Sequence, residues 1–320
     1  MTLVRIVKDW DWPDLLRQSP GGRGEWQGVQ FTTEAVAECD YLVMLNNRMR
    51  HEVRICCPPE NIWMLVQEPY QPGVTDWIVE GHRSFAKVFT HHPPSPAAKY
   101  VVSQPAISWH VNRTFDELVT TPVPRKELLV SWVVGNAREL PGHWGRLAFL
   151  RYLQAHMPEV DLFGRAVQPI ADKWEGLAPY YFSLAVENNS GPDMWTEKLA
   201  DCFLAWCVPF YYGCTNLAKY FPADSYVQLD ITRPREACAI IREEAQPDRW
   251  QHRLAALQEA RELVLNKYQL LPFLAERIRH DEAGKRTPRV ERVLRPYRRS
   301  PRAWLMRQFY KARRLCGGGV

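Results

Sequence analysis

The stretch of this sequence with the clearest potential for chemistry is residues 182–213, FSLAVENNSGPDMWTEKLADCFLAWCVPFYYG. Residues 182–186 are apolar and predict a buried strand, and the polar run 187–193 that follows consists of loop and turn formers. Thr196 stands where a helix N-cap belongs, because apolar residues recur at helical spacing after it. Residues 208–212 predict the next strand. The pattern is typical of a strand–loop–helix–strand unit in a doubly wound α/β fold.

The loop of this unit is a predicted binding site for an anion. Such a loop lies at the carboxyl edge of a parallel sheet, beside a helix N-terminus. A phosphate binds well there, because unpaired N–H groups and the positive end of the helix dipole point to the same place. Glu197 and Lys198 occupy the first turn of the helix. A lysine at that position is electrostatically unfavourable unless an anion is present, so Lys198 indicates a phosphate-bearing ligand.

Three short motifs in this stretch, taken together, resemble the donor-binding motif of the α-1,3/1,4-fucosyltransferases, family ten of the glycosyltransferases. They are Glu187-Asn188, then Thr196-Glu197-Lys198, then Pro209 with Tyr211-Tyr212-Gly213. Residues 220–230 are also similar to the family's strand after the donor loop. Animal members carry an N-terminal membrane anchor, and residues 1–10 do not have its character. The chain is therefore interpreted as a bacterial-type member.

The resemblance implies both a fold and an activity. The fold is α/β and GT-B-like, with two Rossmann-like domains facing a cleft. The activity is transfer of L-fucose from GDP-fucose, with inversion, to a hydroxyl group of a glycan acceptor in an α-1,3-type linkage. There are two alternatives. The protein could transfer another GDP-hexose, or it could be a catalytically silent membrane-associated glycan-assembly protein. No cofactor and no divalent metal are implied, because the motif supplies Lys and Arg where a metal would stand.

The resemblance also assigns roles to donor-side residues. Arg146, on a predicted helix, and Lys198 neutralise the pyrophosphate, although a single Arg on an amphipathic helix is usually solvated. Glu197 supports the sugar or the cationic transition state, while Glu187 and Asn188 contact the nucleotide or brace the loop. Three weaker donor-side candidates follow predicted strands or close the motif: Asn136, Arg165 and Tyr212.

The sequence departs from the family's pattern at two places beside the motif. Met194 stands where the family usually has an aromatic residue. Trp206-Cys207 replaces a pair of small residues. We expect both changes to touch the donor pocket and so to bear on which GDP-sugar is used.

Acceptor-side candidates follow two predicted strands in the N-terminal part of the chain. Glu68 comes after the apolar run 62–66, at the edge where Rossmann-like sheets place functional side chains. The resemblance implies that Glu68 is the catalytic base; a solvated loop glutamate is the alternative. His91 and His92 follow the run 87–90 and either bind acceptor hydroxyls or cap the strand before a proline turn.

Length and composition divide the chain into three predicted regions. At 320 residues it fits two domains of typical size, and the proline-containing run 120–126 is a suitable linker. We predict an acceptor-side Rossmann-like domain over 1–124 and a GDP-sugar donor domain over 125–284. Helical stretches are expected at 32–38, 74–81, 234–244 and 250–278.

The eight cysteines show no metal-binding spacing and most lie in apolar runs, which predicts free thiols and a cytoplasmic protein.

The third region, residues 285–320, is a basic amphipathic tail. It carries twelve Lys or Arg against one Glu, a net charge of +11, whereas residues 1–284 carry −6. Ser300-Pro301 predicts a helix start, with Trp304, Leu305 and Phe309 on one side. This pattern favours an anionic membrane surface, on the inner face of the membrane; a helix packed on the protein or a disordered tail is the alternative. Nucleic acid is not favoured, because the body is acidic and no recognition motif is present.

Overall fold

The structure, a computed structural model, describes residues 1–135, 137, 141–165, 167–281 and 287–316. Its strands are β1 (Thr2–Val7), β2 (Glu25–Trp26), β3 (Val29–Thr32), β4 (Tyr41–Leu45), β5 (Val53–Cys57), β6 (Ile62–Leu65), β7 (Lys87–Thr90), β8 (Tyr100–Val102), β9 (Leu128–Val133), β10 (Asp161–Phe163), β11 (Tyr180–Gly191), β12 (Val208–Cys214), β13 (Val227–Gln228) and β14 (Val290–Leu294). Its helices are α1 (Phe115–Thr120), α2 (Pro141–His156), α3 (Glu197–Leu204), α4 (Pro234–Glu244), α5 (Pro247–Leu263), α6 (Leu270–His280) and α7 (Pro301–Cys316).

These elements belong to two units. The first unit contains residues 1–107 and the described part of 270–320, and the second unit contains residues 108–269. These bounds differ from the predicted ones, since 108–124 lies in the second unit and α6 in the first. Each unit is built on its own mainly parallel sheet, so the predicted α/β class is confirmed.

The first unit has a seven-stranded sheet in the order β2-β3-β1-β4-β6-β7-β8. All neighbouring strands are parallel except the β2–β3 hairpin. Every residue of β4 and of β6 is buried, as expected for strands covered on both faces. The carboxyl ends of β6 and β7 are neighbours, with Leu65 paired with Phe89. This edge therefore carries the loops that follow both strands.

Two helices predicted in the first unit are wrong. Residues 32–38 are not helical, because the chain there runs beside β5: Cys56 N donates to Ala37 O at 2.9 Å. Residues 74–81 contain only the short 3-10 turn Asp76–Ile78. The Asp76 carboxylate accepts a hydrogen bond from Gly73 N at 2.9 Å, a local side-chain bond that competes with a regular helix.

The second unit has a five-stranded parallel sheet in the order β10-β9-β11-β12-β13. The predicted strand–loop–helix–strand unit is confirmed as β11, α3 and β12, with Thr196 as the N-cap of α3. The strand β11 is longer than predicted: it runs to Gly191, although its pairing with β12 is irregular after Val186. Helix α4 is confirmed over Pro234–Glu244.

The helix predicted over 250–278 is interrupted. Helix α5 ends at Leu263, a π-helical turn follows over Val264–Tyr268, and α6 begins at Leu270. Gln269 between them has extended backbone angles. Pro272 contributes to the break, since it has no N–H group with which to continue the hydrogen bonds of the preceding helix.

The C-terminal residues combine a strand and a helix in the first unit. β14 pairs antiparallel with β5, which the sequence did not predict. Helix α7 begins as predicted, because Ser300 Oγ accepts a hydrogen bond from Ala303 N at 3.2 Å.

The seven cysteines whose side chains are described are free thiols, in agreement with prediction. In the described part of the chain, no helix is both long and apolar enough to cross a membrane.

Candidate active site

The end of β11 connects the two helices that carry the predicted donor-side residues. Side chains alternate between the two faces of a strand. Glu187 contacts the N-terminus of α3, where its Oε1 accepts hydrogen bonds from Thr196 N and Thr196 Oγ1, both at 2.8 Å. Asn188 contacts α2 instead, where its Oδ1 accepts a hydrogen bond from Arg146 Nη1 at 2.6 Å. The structure therefore brings Arg146, Glu187, Asn188 and Lys198 to the part of β11 that follows its regular pairing with β12.

Lys198 is surrounded by oxygen atoms. Its Nζ lies 3.2 Å from Glu187 Oε2, 3.1 Å from Thr196 Oγ1 and 3.3 Å from Glu197 Oε1. Burial alone would lower the pKa of Lys198, but the two carboxylates outweigh it and raise the pKa above its usual value. Burial raises the pKa of Glu187. Lys198 therefore stays protonated at physiological pH and is a permanent cation beside the helix N-terminus.

Glu197 also lies near two side chains other than Lys198, namely Lys173 and His110. Its Oε1 is 3.7 Å from Lys173 Nζ and 4.0 Å from His110 Nδ1. Burial would raise the pKa of Glu197, yet Lys198, Lys173 and His110 together lower it well below its usual value. Lys173 also bonds the buried Asp201 at 2.9 Å. This network keeps Glu197 ionised and fixes its position.

Lys173, His110 and Asp201 were not predicted from the sequence. Asp201 accepts a hydrogen bond from His110 N at 2.8 Å, so it joins the chain near 110 to α3. One signal for Asp201 was present: it lies four residues after Glu197, and therefore on the same helix face, within an otherwise largely apolar helix. Lys173 and His110 are far away in sequence and had no comparable local signal.

Arg146 is a buried cation, with an exposed fraction of 2%. Within the described residues its acceptors are all neutral: Asn188 Oδ1 at 2.6 Å, Gly135 O at 2.9 Å and Ala137 O at 3.1 Å. Its Nε has no hydrogen-bond acceptor among the same residues. Burial lowers the pKa of Arg146, which measures the cost of holding this charge away from water. A buried guanidinium with this set of acceptors suits an anion brought by a ligand.

Gly142 lets α2 approach β11. A Cβ atom at Gly142 would lie 1.5 Å from Asn188 O, so any other residue would push the helix away from the strand. Arg146 is one turn further along α2, and its position depends on this close approach. A cavity of about 480 Å³ adjoins the site; its lining residues include Gly142, Gly145, Tyr152, Asn188, Tyr212 and Thr232. That volume is within the usual range for a small-molecule site.

The remaining donor-side predictions are distributed differently. Tyr212 is half-buried and lines the cavity, as a donor-side residue should. Arg165 is exposed in the turn after β10. Asn136 lies outside the described residues. Of the three weaker candidates, the structure therefore brings only Tyr212 to this cavity within the part of the chain that it describes.

The departures from the family's pattern lie in the core of the second unit. Met194 and Trp195 are buried, and the Trp195 ring packs against Phe221 and Tyr268, with centroids 5.1 and 6.0 Å away. Trp206 is buried as well, and Arg261 lies over its ring at 5.0 Å. Met194, Trp195 and Trp206 are thus core residues, so we expect any effect of theirs on a ligand to act through packing.

In the first unit, the acceptor-side candidates share one sheet edge. Glu68 is exposed three residues beyond β6. Gln67 fixes the start of this loop, since its side chain donates to Pro105 O at 3.2 Å and Ala106 O at 3.1 Å. His91 is half-buried and His92 is exposed, just beyond β7. The structure thus places all three predicted residues at the carboxyl ends of neighbouring strands.

An unpredicted stacking contact joins the two loops at this edge. The Tyr70 ring stacks on the His92 ring, with centroids 4.5 Å apart and planes inclined by 19°. No cluster of His, Cys, Asp or Glu side chains able to hold a metal ion is present in the described residues.

Comparisons with known proteins relate part of the second unit to a family. Residues 123–244, which contain Arg146, Glu187 and Lys198, match the family described as glycosyltransferase family 10 (fucosyltransferase) C-term. This segment is a family 10 glycosyltransferase domain. The resemblance seen in the sequence is therefore confirmed at the level of the family, and the bacterial-type assignment stays a prediction.

Curated fucosyltransferases are similar to this domain. The 4-galactosyl-N-acetylglucosaminide 3-alpha-L-fucosyltransferase FUT6 of Homo sapiens is 34% identical over 128 residues, 37% of this chain and 33% of that protein. The 3-galactosyl-N-acetylglucosaminide 4-alpha-L-fucosyltransferase FUT3 of Homo sapiens is 33% identical over 124 residues, with the same coverage. The match thus spans about a third of these relatives. A crystal structure of an alpha1,3-fucosyltransferase with GDP-fucose has a TM-score of 0.46 and 14% identity, covering 84% of this chain and 92% of that chain.

Proposed function

We propose that this protein is an inverting fucosyltransferase that transfers L-fucose from GDP-fucose to a hydroxyl group of a glycan acceptor in an α-1,3-type linkage. The observation that carries the proposal is the buried Arg146, which lies with Lys198 at the end of β11 inside the family 10 domain. Arg146, whose acceptors are neutral, suits the negative charge of a pyrophosphate. Lys198, which also pairs with Glu187 and Glu197, lies in the first turn of a helix, where phosphates bind.

Each part of the donor has a proposed place in the second unit. Arg146 and Lys198 bind the pyrophosphate, and Glu197 faces the sugar as a fixed negative charge. The cavity of about 480 Å³ beside Asn188 and Tyr212 takes the nucleoside. Its lining is mainly apolar with a few polar groups, which is the usual character of a nucleoside site.

The proposed chemistry is a single displacement. The acceptor oxygen forms a bond to C1 of fucose as the bond between C1 and the β-phosphate oxygen breaks. GDP leaves with the electron pair of that bond, and the acceptor proton passes to the Glu68 carboxylate. Arg146 and Lys198 stabilise the negative charge that develops on GDP. His91 and His92 bind acceptor hydroxyls. One displacement inverts C1 and requires no covalent glycosyl-enzyme.

Turnover of a panel of GDP-sugars tests this proposal. We expect GDP-fucose to be consumed faster than GDP-mannose or GDP-glucose, with GDP release measured with and without glycan acceptors that contain N-acetylglucosamine. Because cationic side chains take up the charge of the leaving group, we expect a chelator of divalent metals to leave the rate unchanged. A protein that neither binds nor consumes any GDP-sugar would refute the proposal. If another GDP-hexose is consumed faster than GDP-fucose, that GDP-hexose is the donor instead. Loss of activity with the chelator would refute the metal-independent mechanism.

We also propose that α7 binds an anionic membrane surface at the inner face of the membrane. Trp304, Leu305 and Phe309 on this helix are 53%, 62% and 55% exposed, and Arg302 and Arg307 beside them are exposed too. Exposed apolar side chains of this size bury favourably in the interface of a bilayer. Each Arg near anionic lipid adds on the order of 1 kcal/mol.

Sedimentation with vesicles tests the membrane proposal. The protein is expected to sediment with phosphatidylglycerol vesicles and much less with phosphatidylcholine vesicles. Replacing Trp304, Leu305 and Phe309 together by serine should abolish the binding. Val119→Ser, which removes an exposed apolar side chain of α1, is the matched control and should bind like the wild type. Equal binding by the triple variant would show that α7 is not the membrane contact.

A further inference from the structure

The loop that carries Glu68, residues 67–76, is closed by its own hydrogen bonds. Thr75 Oγ1 donates to Pro69 O at 2.9 Å and accepts from Gln71 N at 2.7 Å. Asp76 Oδ1 accepts from Gly73 N at 2.9 Å. These bonds tie the far end of the loop to the residue after Glu68, so a movement near Gly73 is transmitted to Glu68.

The C-terminal residues pack directly on the far end of this loop. Arg299 Nη2 donates to Val74 O at 3.3 Å, and Arg299 Nε lies 3.9 Å from Asp76 Oδ2. Gly73 touches the backbone of α7: a Cβ atom there would lie 2.7 Å from Arg307 N and 2.7 Å from the carbonyl carbon of Met306. A backbone cannot move aside as a side chain can, so the start of α7 limits the positions that the loop can take.

The residues just before and at the start of α7 also contact the segment that follows the loop. Ser300 Oγ donates to Glu80 Oε1 at 3.1 Å. Tyr297 packs on Gly81, where a Cβ atom would lie 2.8 Å from its ring. Gly81 O in turn accepts from Asn47 Nδ2, at the end of β4, at 3.3 Å. The helix start is thus held to residues 80–81, directly after the loop, and the preceding strand β14 is held to β5.

We propose that Arg299 and the first turns of α7 are a brace that positions Glu68 for proton transfer. The inference rests on the proposed function, in which Glu68 is the base. A general base must lie within hydrogen-bond reach of the proton that it takes. Glu68 is exposed on a loop, and surface loops are ordinarily among the least stable parts of a fold. The contacts of Arg299 and α7 restrict the movement of the loop that carries Glu68. Arg299 is accordingly a positioning residue, since it acts through the loop.

Gly73→Ala tests the brace, with Gly28→Ala as its matched control. Gly73 and Gly28 have similar positive φ angles, +77° and +82°, so both variants carry the same backbone strain. Only Gly73→Ala adds a methyl group against α7, because a Cβ atom at Gly28 meets nothing within 4 Å. We expect Gly73→Ala to lower kcat for transfer about 10- to 100-fold, the effect of a displacement of roughly 1 Å. GDP affinity and KM for GDP-fucose should be unchanged, and Gly28→Ala should keep the wild-type kcat.

A double-mutant cycle with Glu68→Gln separates the brace from the proposed function. If α7 acts through Glu68, Gly73→Ala adds little loss of rate in the Glu68→Gln background, because the two effects are not independent. Arg299→Met should reduce kcat as Gly73→Ala does, and Arg299→Lys should restore part of it. The brace is refuted by additive losses, by an unchanged kcat for Gly73→Ala, or by a parallel loss of GDP affinity. Full transfer by Glu68→Gln refutes the base assignment instead.

Discussion

Replacing Glu68 by glutamine is expected to lower the rate of transfer about 10²- to 10⁴-fold, the usual contribution of a general base. Glutamine has the size and polarity of glutamate but does not accept a proton at physiological pH. Because Glu68 is exposed on the first unit, the substitution should leave the fold and the donor-side residues of the second unit intact. The substitution should therefore lower kcat for transfer and leave the affinity for GDP unchanged.

The measurement compares kcat for transfer with the dissociation constant for GDP. Glu34→Gln is the control, since Glu34 is another exposed carboxylate of the first unit and has no proposed role. We expect it to keep the wild-type rate. If Glu68→Gln transfers fucose at the wild-type rate, another group takes the acceptor proton, while the donor-side proposal is untouched. If Glu68→Gln loses GDP binding as well, its role extends beyond that of a base.

Replacing Arg146 by methionine is expected to reduce kcat/KM for GDP-fucose about 10²- to 10³-fold, the cost of removing one preorganised donor at a site of developing charge. Methionine fills a similar length of the buried space between α2 and β11 without a charge. Three acceptors, Asn188 Oδ1, Gly135 O and Ala137 O, lose their partner, but the variant no longer holds a cation away from water. These two effects oppose each other in the stability of the unliganded protein.

Thermal unfolding with and without GDP separates ligand binding from folding. A ligand at a hundred times its dissociation constant stabilises the native state by about 2.7 kcal/mol, so GDP should raise the Tm of the wild type. We expect most of this rise to be lost in Arg146→Met. Arg151→Met removes an exposed arginine from the same helix and should show the full rise. A wild-type response to GDP in Arg146→Met would exclude Arg146 from the pyrophosphate site.

The donor half of the site could be predicted because its signals are local. Thr196, Glu197 and Lys198 are consecutive, and the apolar runs on either side of them have the periods of a strand and a helix. The charges that hold Glu197 were not predictable in this way. Lys173 and His110 reach it from separate segments, and only the packing of the second unit brings them there.

The errors in the first unit have the same origin. Residues 32–38 have a helical composition, but the backbone groups of Ala37 and Cys39 bond to Cys56. The importance of Gly142 in the second unit could not be predicted either, because a glycine is required there only by the close approach of the Asn188 backbone. Secondary-structure propensity is a property of one segment, whereas the conformation of residues 32–38 and the need for glycine at 142 both depend on a second segment far away in the sequence.

The division of the chain has a consequence for synthesis. The second unit is one continuous run, residues 108–269, whereas the first unit is made of the first 107 residues and of residues after 269. Domains fold as units while the chain emerges from the ribosome. The second unit can therefore form before the chain is finished. The first unit must wait for β14, which pairs with β5 across more than two hundred residues. We infer that the separate two-stranded sheet of β5 and β14 forms only after the whole second unit has been synthesised.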